Sequence, residues 1–335
     1  MGLWAVKMNN RGEELLHWAD EKEVVSSNKP LLLLFSLMKK LPKFIIFTIV
    51  WPIALFFYIF SKRGRVESKI YQKQLKTFTN GKIPSKIRPF NQILSFSLCI
   101  IEKMEGWFGN YHYNELIVHN DDLSLLQEQL KSGKGALLIG SHLGNIELLR
   151  SLSSFGENGV GKNISVTAVM ELKSTEQFNK TLKEINPDVD FQVLDPEKIG
   201  IDTIATLQEQ IENGGLVVIT GDRTSSRART RVIREKFLGK EADFPYGTFV
   251  LALLLKAPIY YVFGLRNHTF SIKPRYHIFV EKSEIKINAN RSERDKKITE
   301  LCKEFILKLE NYCIKFPYQW YNFYNFWKLN DEAAK

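Results

Sequence analysis

The stretch ALLIGSHLGNIE (residues 136–147) joins an apolar run to a glycine-containing polar turn and then to a second apolar run. A short apolar run that ends at a glycine is typical of a buried strand, and Asn145 is a good capping residue for a helix. The stretch therefore predicts a strand, a turn and a helix, with His142 in the turn and Glu147 in the first helical turn.

The same alternation continues along the chain. Nearly uninterrupted apolar strands indicate a sheet that is covered on both faces, so we expect an α/β fold with a mostly parallel central sheet flanked by helices. One or two further strands, antiparallel and at an edge, are expected within 269–281. The predicted strands are 135–141, 164–170, 191–194, 216–220 and 259–263, and the predicted helices are 84–108, 121–131, 145–155, 174–185, 202–211, 246–255 and 294–316.

Composition limits the kinds of partner. The chain has 335 residues and a formal net charge of +10 at pH 7, which favours nucleic acid, anionic lipid or an acidic protein. Hydrophobic residues make up 44% and charged residues 25%, as in ordinary folded proteins. The spacing of Cys99, Cys302 and Cys313 fits neither a disulfide framework nor a metal site, so we expect buried, neutral thiols.

The segment 44–60 carries no charge over 17 residues. As a helix it would be about 26 Å long, near the minimum for crossing the hydrocarbon core of a bilayer. Lysine and arginine residues flank it on both sides, and a buried core helix is the alternative. We predict a membrane anchor, either spanning or lying in the interface, within an N-terminal segment 1–70 that precedes an α/β domain over 71–335.

The pairing of His142 with Glu147 would suit general-base chemistry. A carboxylate fixes the tautomer of a histidine and stabilises the imidazolium that forms. Gly144 permits the bend that brings the two together, and backbone amides of the turn could stabilise negative charge. The string differs from the nucleophile elbow G-x-S-x-G and from the zinc motif H-E-x-x-H. The alternative is a structural histidine beside a solvated glutamate.

A second polar string, Gly221-Asp222-Arg223-Thr224, follows the predicted strand 216–220. Ligands of α/β proteins bind at the carboxyl ends of strands, where Arg223 can hold a phosphate or carboxylate. The alternative is a solvated basic hairpin. Downstream, residues 237–247 are either a mobile loop beside an apolar groove or ordinary turns. The aromatic tail, residues 316–327, is either part of the core or a membrane-interface element.

Taken in order, SHLGNIE (141–147), GDR (221–223), FLG…FPYG (237–247), KAPI (256–259) and PYQWYNFYNFW (317–327) resemble the lysophospholipid acyltransferase superfamily. The resemblance is greatest to the branch of bacterial lipid A late acyltransferases, and it extends over residues 14–328. It implies acyl transfer from a thioester, carried by acyl carrier protein or coenzyme A, to a hydroxyl of a lipid or glycolipid. A lipid-binding or scaffold protein with the same fold is the alternative.

The resemblance also implies roles for individual residues. His142 is the base and Glu147 its partner, while Arg223, supported by Asp222, binds phosphate or positions the substrate. Ser141, Gly144 and Asn145 are further residues that we predict to bind substrate. The expected partners are membrane lipids and the acyl donor, with no nucleic acid, no metal and no cofactor beyond the thioester co-substrate. The expected location is the bacterial inner membrane, with the catalytic domain facing the cytoplasm. The acceptor, whether lipid A, another lipid or a pigment, is left open.

Overall fold

The structure is a computed structural model that describes residues 40–107, 116–119, 122–146, 159–170, 191–224, 231–268, 271, 275–287 and 290–327. Glu147 and the helix predicted over 174–185 lie outside these residues, as does most of the helix predicted over 145–155. The described helices are α1 (Lys43–Phe60), α2 (Lys62–Phe78), α3 (Pro89–Trp107), α4 (Asp122–Lys131), α5 (Ile201–Glu212), α6 (Tyr246–Leu255) and α7 (Arg294–Lys315), with short 3₁₀ turns at Pro196–Lys198 and Arg291–Glu293.

Seven of the described strands form one mixed sheet: β1 (Leu116–Val118), β2 (Ala136–Gly140), β3 (Val166–Val169), β4 (Phe191–Leu194), β5 (Leu216–Thr220), β8 (Ile259–Arg266) and β9 (Tyr276–Lys282). Their order across the sheet is β1-β9-β8-β2-β5-β3-β4. All neighbouring strands are parallel except β8 and β9, which confirms the predicted α/β class and its mostly parallel sheet. A separate antiparallel hairpin consists of β6 (Val232–Phe237) and β7 (Lys240–Pro245).

The strand predicted within 269–281 corresponds to β9, and its antiparallel pairing is confirmed. Its predicted position at the edge is wrong, because β1 pairs with the other side of β9. Sequence analysis missed β1 since only three residues, Leu116–Val118, form it. Such a short run gives no period that distinguishes a strand from a loop.

The two faces of the sheet bury different clusters because successive side chains of a strand point to opposite sides. In β2, Leu137 and Ile139 join the larger cluster, which α2, α5, α6 and α7 complete. Ala136 and Leu138 join the smaller cluster, to which α4 contributes Leu126. Helices thus cover both faces of the central strands and leave the strand ends as the accessible edge.

Helix α1 is buried along one side only. Ile46, Val50 and Ala54 pack in a cluster with residues of α3. Eight large apolar side chains of α1 are exposed: Phe44, Ile49, Trp51, Ile53, Leu55, Phe56, Ile59 and Phe60. No single helix of the described residues is long and apolar enough to cross a membrane, although α1 and α2 meet that test of length and composition when joined across their 91° bend.

The predicted domain boundary at residue 70 falls inside α2. This helix begins after Ser61, whose hydroxyl accepts a hydrogen bond from the Gly64 backbone N–H at 3.1 Å. Tyr71 and Leu75 of α2 belong to the larger core cluster. Helix α2 therefore connects the exposed apolar helix to the α/β core.

The aromatic tail belongs to the protein core. Trp320, Tyr321, Phe323, Phe326 and Trp327 are all buried, which confirms the core alternative for these side chains. The three cysteines are buried and form no disulfide, as predicted. Burial raises the pKa of each thiol, that of Cys99 to about 12, so that the thiols stay neutral.

Candidate active site

Strand register brings His142 next to Asp222. Strands β2 and β5 are parallel neighbours, with Gly140 opposite Thr220. Each chain continues two residues beyond that pair, to His142 and to Asp222. The Gly221 backbone N–H donates to the Gly140 carbonyl at 2.9 Å and extends the pairing past the last strand residues. The histidine and the carboxylate therefore meet at the carboxyl edge of the sheet, where α/β proteins bind ligands.

Two hydrogen bonds join these residues. His142 Nδ1 lies 2.8 Å from Asp222 Oδ1, and the His142 backbone N–H donates to Asp222 Oδ2 at 2.9 Å. The Asp222 side chain is fully buried, whereas 13% of the His142 side chain is exposed. An ionised carboxylate accepts a hydrogen bond from the protonated Nδ1, which leaves Nε2 as the unprotonated nitrogen. The geometry thus provides a proton acceptor next to an ionised orienting group.

Burial and charge keep the imidazole neutral. Burial is the main reason that the pKa of His142 falls to about 4, and the Arg223 charge lowers it further against the opposing effect of Asp222. Burial acts to raise the pKa of Asp222, but the charge and hydrogen bonds of His142, together with the Arg223 charge, bring it below its usual range. At pH 7 the histidine is therefore neutral and the carboxylate ionised.

The C-terminal tail completes the surroundings of this pair. Leu143 and Trp320 form an isolated antiparallel bridge. The Tyr321 backbone N–H donates to the His142 carbonyl at 2.9 Å, and the Trp320 indole N–H donates to Asp222 Oδ2 at 3.1 Å. Sequence analysis missed Trp320 as a site residue, because it lies far from the histidine motif and the aromatic pattern of the tail predicts only burial.

Gly144 has no room for a side chain. Its φ is +73°, and a Cβ atom would lie 2.3 Å from the Gly264 carbonyl oxygen of β8. The Gly144 backbone N–H donates to the Gln319 carbonyl at 2.9 Å, and the Asn145 backbone N–H donates to the Gly264 carbonyl at 2.8 Å. These contacts hold the turn between β8 and the tail. The predicted substrate-binding roles of Gly144 and Asn145 stay predictions.

Four backbone amides of the turn already donate to protein acceptors. Those of His142, Gly144 and Asn145 donate as described, and that of Leu143 donates to the Ser141 hydroxyl at 3.2 Å. In this arrangement these four amides do not point at an oxyanion, and the expectation that other amides at the start of the predicted helix stabilise a developing negative charge stays a prediction. The predicted role of Ser141 in substrate binding remains a prediction, and its hydroxyl caps the turn.

Arg223 lies beside the pair but points toward the tail. Its guanidinium donates to the Tyr321 carbonyl at 2.8 Å and lies 5.8 Å from the centre of the Tyr324 ring. Its positive charge adds to the effect of burial in lowering the pKa of His142. Whether Arg223 also binds a phosphate or carboxylate stays a prediction.

The carboxylate that contacts His142 Nδ1 is that of Asp222, a contact that sequence analysis expected from Glu147. Glu147 lies outside the described residues, so its own contribution stays a prediction. Within the residues that the structure describes, no three His, Cys, Asp or Glu side chains come together as a group that could hold a metal ion.

The comparisons with known proteins add no assignment. No protein-family model matches this chain, and a search among curated proteins also finds no match. The chemistry of the site must therefore be argued from the residues and their geometry.

Proposed function

We propose that this protein is a membrane-associated acyltransferase that moves a fatty acyl group from a thioester to a hydroxyl of a lipid or glycolipid. The observation that carries the proposal is the neutral, partly exposed His142 imidazole, bound through Nδ1 to a buried carboxylate at the carboxyl edge of the sheet. The ordered motifs that resemble the lysophospholipid acyltransferase superfamily support this reaction class over other uses of a histidine base.

In the proposed reaction, His142 Nε2 accepts the proton of the acceptor hydroxyl while that oxygen attacks the thioester carbonyl. A carbon–oxygen bond forms, the carbon–sulfur bond then breaks, and the imidazolium returns the proton to the leaving thiolate. Asp222 stabilises the imidazolium between these steps. General-base assistance of this kind contributes about 10²–10⁴ in rate. Arg223 is the cation nearest the pair in sequence and offers positive charge to the developing oxyanion.

Helix α1 supports a location at a lipid surface, which is part of the proposal. Its eight exposed apolar side chains form the kind of surface that marks an interaction site, and Lys40 and Lys62 beside its two ends are exposed. Apolar residues flanked by lysines suit an interface that carries anionic lipid. Packing of Ile46, Val50 and Ala54 on α3 favours a helix that lies in the interface over one surrounded by lipid. We propose that the protein is located at the cytoplasmic face of a bacterial inner membrane.

Acyl transfer to vesicle lipids tests the proposal. Full-length protein is supplied with a fatty acyl thioester of acyl carrier protein or of coenzyme A, and lipid products are identified by mass spectrometry. We expect transfer by the wild type and a loss of about 10²–10⁴-fold for His142→Gln. His119→Gln is the matched control, because His119 is exposed and contacts His277 rather than Asp222.

Two results would contradict the proposal. The first is transfer by His142→Gln within threefold of the wild type. The second is a wild-type protein that binds vesicles but turns over neither thioester, which would favour a lipid-binding or scaffold protein with this fold.

A further inference from the structure

Trp320 contacts the carboxylate that holds the base. Its indole nitrogen lies 3.1 Å from Asp222 Oδ2, and both side chains are fully buried. We propose that Trp320 is a positioning residue: its indole N–H holds the Asp222 carboxylate in the orientation that binds His142 Nδ1. The catalytic consequence rests on the proposed function, whereas the effect on the histidine itself does not.

The hydrogen bonds of Asp222 indicate why this donor matters. Oδ1 faces His142 Nδ1, and Oδ2 accepts from both the His142 backbone and the Trp320 indole. Two of these three donors belong to the residue that the carboxylate is meant to orient. Among the residues that the structure describes, Trp320 is thus the donor that fixes the carboxylate independently of His142. A buried carboxylate stays ionised only when such donors replace its lost hydration.

The backbone of Trp320 is fixed on both sides. One side pairs with Leu143 in the antiparallel bridge. On the other side, Gln92 of α3 donates to the Trp320 carbonyl at 2.6 Å, and Gln72 of α2 donates to the Gln92 side-chain oxygen at 3.0 Å. These buried amides connect the tail to two helices that are distant in sequence.

Aromatic rings enclose the Trp320 side chain. The rings of Tyr71, Phe237 and Phe326 lie 4.9, 5.1 and 4.9 Å from the indole, centre to centre. An indole packed in this way keeps one rotamer, because close-packed neighbours leave no space for another. The packing of the fold therefore aims the N–H group at Asp222.

The charged groups around the pair determine how the pKa of His142 should change when Trp320 loses its indole N–H. Arg223 and Lys103 disfavour a protonated His142, and Asp222 favours it. Close to Asp222, the Cys313 thiol and the Tyr324 hydroxyl are neutral, because burial raises the pKa of both. Without the indole N–H the carboxylate is free to turn away from Nδ1. Since the charge and hydrogen bond of Asp222 stabilise the imidazolium, the pKa of His142 should fall.

Trp320→Phe tests the inference, because it keeps an aromatic ring and removes the donor. Trp327→Phe is the matched control: its indole donates to the Phe237 carbonyl at 3.2 Å, and its ring lies 6.3 Å from that of Trp320. The readout is a pH titration by ¹⁵N NMR of full-length, histidine-labelled protein in detergent micelles, with the His142 signals assigned by their absence in His142→Gln.

We expect Trp320→Phe to lower the pKa of His142 by about 0.5 or more and Trp327→Phe to leave it unchanged. In the transfer assay, kcat of Trp320→Phe should fall about tenfold with little change in KM, and the acid limb of its pH profile should move to lower pH. Superimposable titrations of Trp320→Phe and wild type, or a higher pKa in Trp320→Phe, would overturn the inference.

A second measurement applies if Trp320→Phe fails to fold. In the wild type, the indole proton signal of Trp320 should move as His142 titrates and should shift in Asp222→Asn, whereas that of Trp327 should not. An unmoved Trp320 signal would overturn the inference. A wild type without acyl transfer would instead reject the proposed function, and the NMR titrations would still decide the role of Trp320.

Discussion

The carboxyl edge of the sheet buries an ionised side chain, whereas the outer face of α1 exposes apolar ones, and both are the reverse of the usual distribution in a folded protein. At the edge, Asp222 is fully buried and accepts hydrogen bonds from His142 and Trp320. On α1, eight large apolar side chains face solvent. The polar groups at the edge have their partners within the chain, whereas the apolar face of α1 has the character of an interaction surface. Substitutions at the edge should therefore change acyl transfer, and substitutions on α1 should change vesicle binding.

The largest effect is expected at the edge. Asp222→Asn keeps the shape of the side chain but removes the charge that orients and stabilises the imidazole. Acyl transfer should fall about 10²–10⁴-fold, while vesicle binding should not change. Asp243→Asn is the control, since Asp243 is also buried but binds Arg234 at 2.9 Å. Transfer by Asp222→Asn within threefold of the wild type would contradict the role given to this carboxylate.

The next effect is expected on α1. Phe56→Glu combined with Phe60→Glu should weaken sedimentation with anionic vesicles at least tenfold, because each buried phenylalanine contributes about 1.5–3 kcal/mol. Thioester turnover in detergent should be retained. Leu307→Glu provides the control, since Leu307 of α7 is 66% exposed but lies away from α1 in sequence and in packing. Equal losses for both proteins would show that α1 has no special part in attachment.

Gly144→Ala tests how tightly the turn at the carboxyl edge packs against β8. A Cβ atom at φ +73° and 2.3 Å from the Gly264 carbonyl oxygen should lower the free energy of unfolding by about 2–3 kcal/mol. Gly247→Ala provides the contrast, because no atom lies within 4 Å of the Cβ position in the first turn of α6. Urea denaturation measures both. A Gly144→Ala protein as stable as Gly247→Ala would mean that the turn is not held as described.

The smallest effect concerns pH. The folded pKa of His142 is about 4 against an ordinary value of 6.5, so the unfolded chain binds the extra proton between these values. Folding stability that is present above pH 6.5 is therefore lost as the pH falls toward 4. Between pH 7.5 and 5.5 this group should account for about 1 kcal/mol. Urea denaturation measures the free energy of unfolding of the wild type and of His142→Gln at both pH values. The stability of the wild type relative to His142→Gln should decrease by that amount between pH 7.5 and 5.5. The same difference at both pH values would contradict the lowered pKa.

The elements that sequence analysis predicted well are those whose signal is local. Strands 191–194 and 216–220 and the helix 246–255 agree with the structure residue for residue, because their apolar runs end at clear turn residues. The segment 237–247, for which one interpretation was a mobile loop, is largely β7 with a tight turn. Leu238 and Gly239 adopt positive φ there, which the motif alone does not reveal.

The candidate site was only half predictable for the same reason. His142 stands out because a polar turn follows an apolar strand. Asp222 was found as a strand-end residue, but its contact with His142 depends on β2 and β5 being neighbours in a fixed register, which no local pattern specifies. The Trp320 contact depends on the path of the tail across the whole fold.

The position of Trp320 in the chain affects how the protein is made. Asp222, the later residue of the pair, precedes Trp320 by 98 residues, which a ribosome that adds about 5–20 residues per second translates in roughly 5–20 s. During that time the nascent chain already contains α1 and both residues of the pair, but not the indole that lies against the carboxylate. If α1 binds lipid early, the growing polypeptide is at the membrane before the contacts around His142 and Asp222 are complete. A product truncated before Trp320 would then bind the membrane but have little activity.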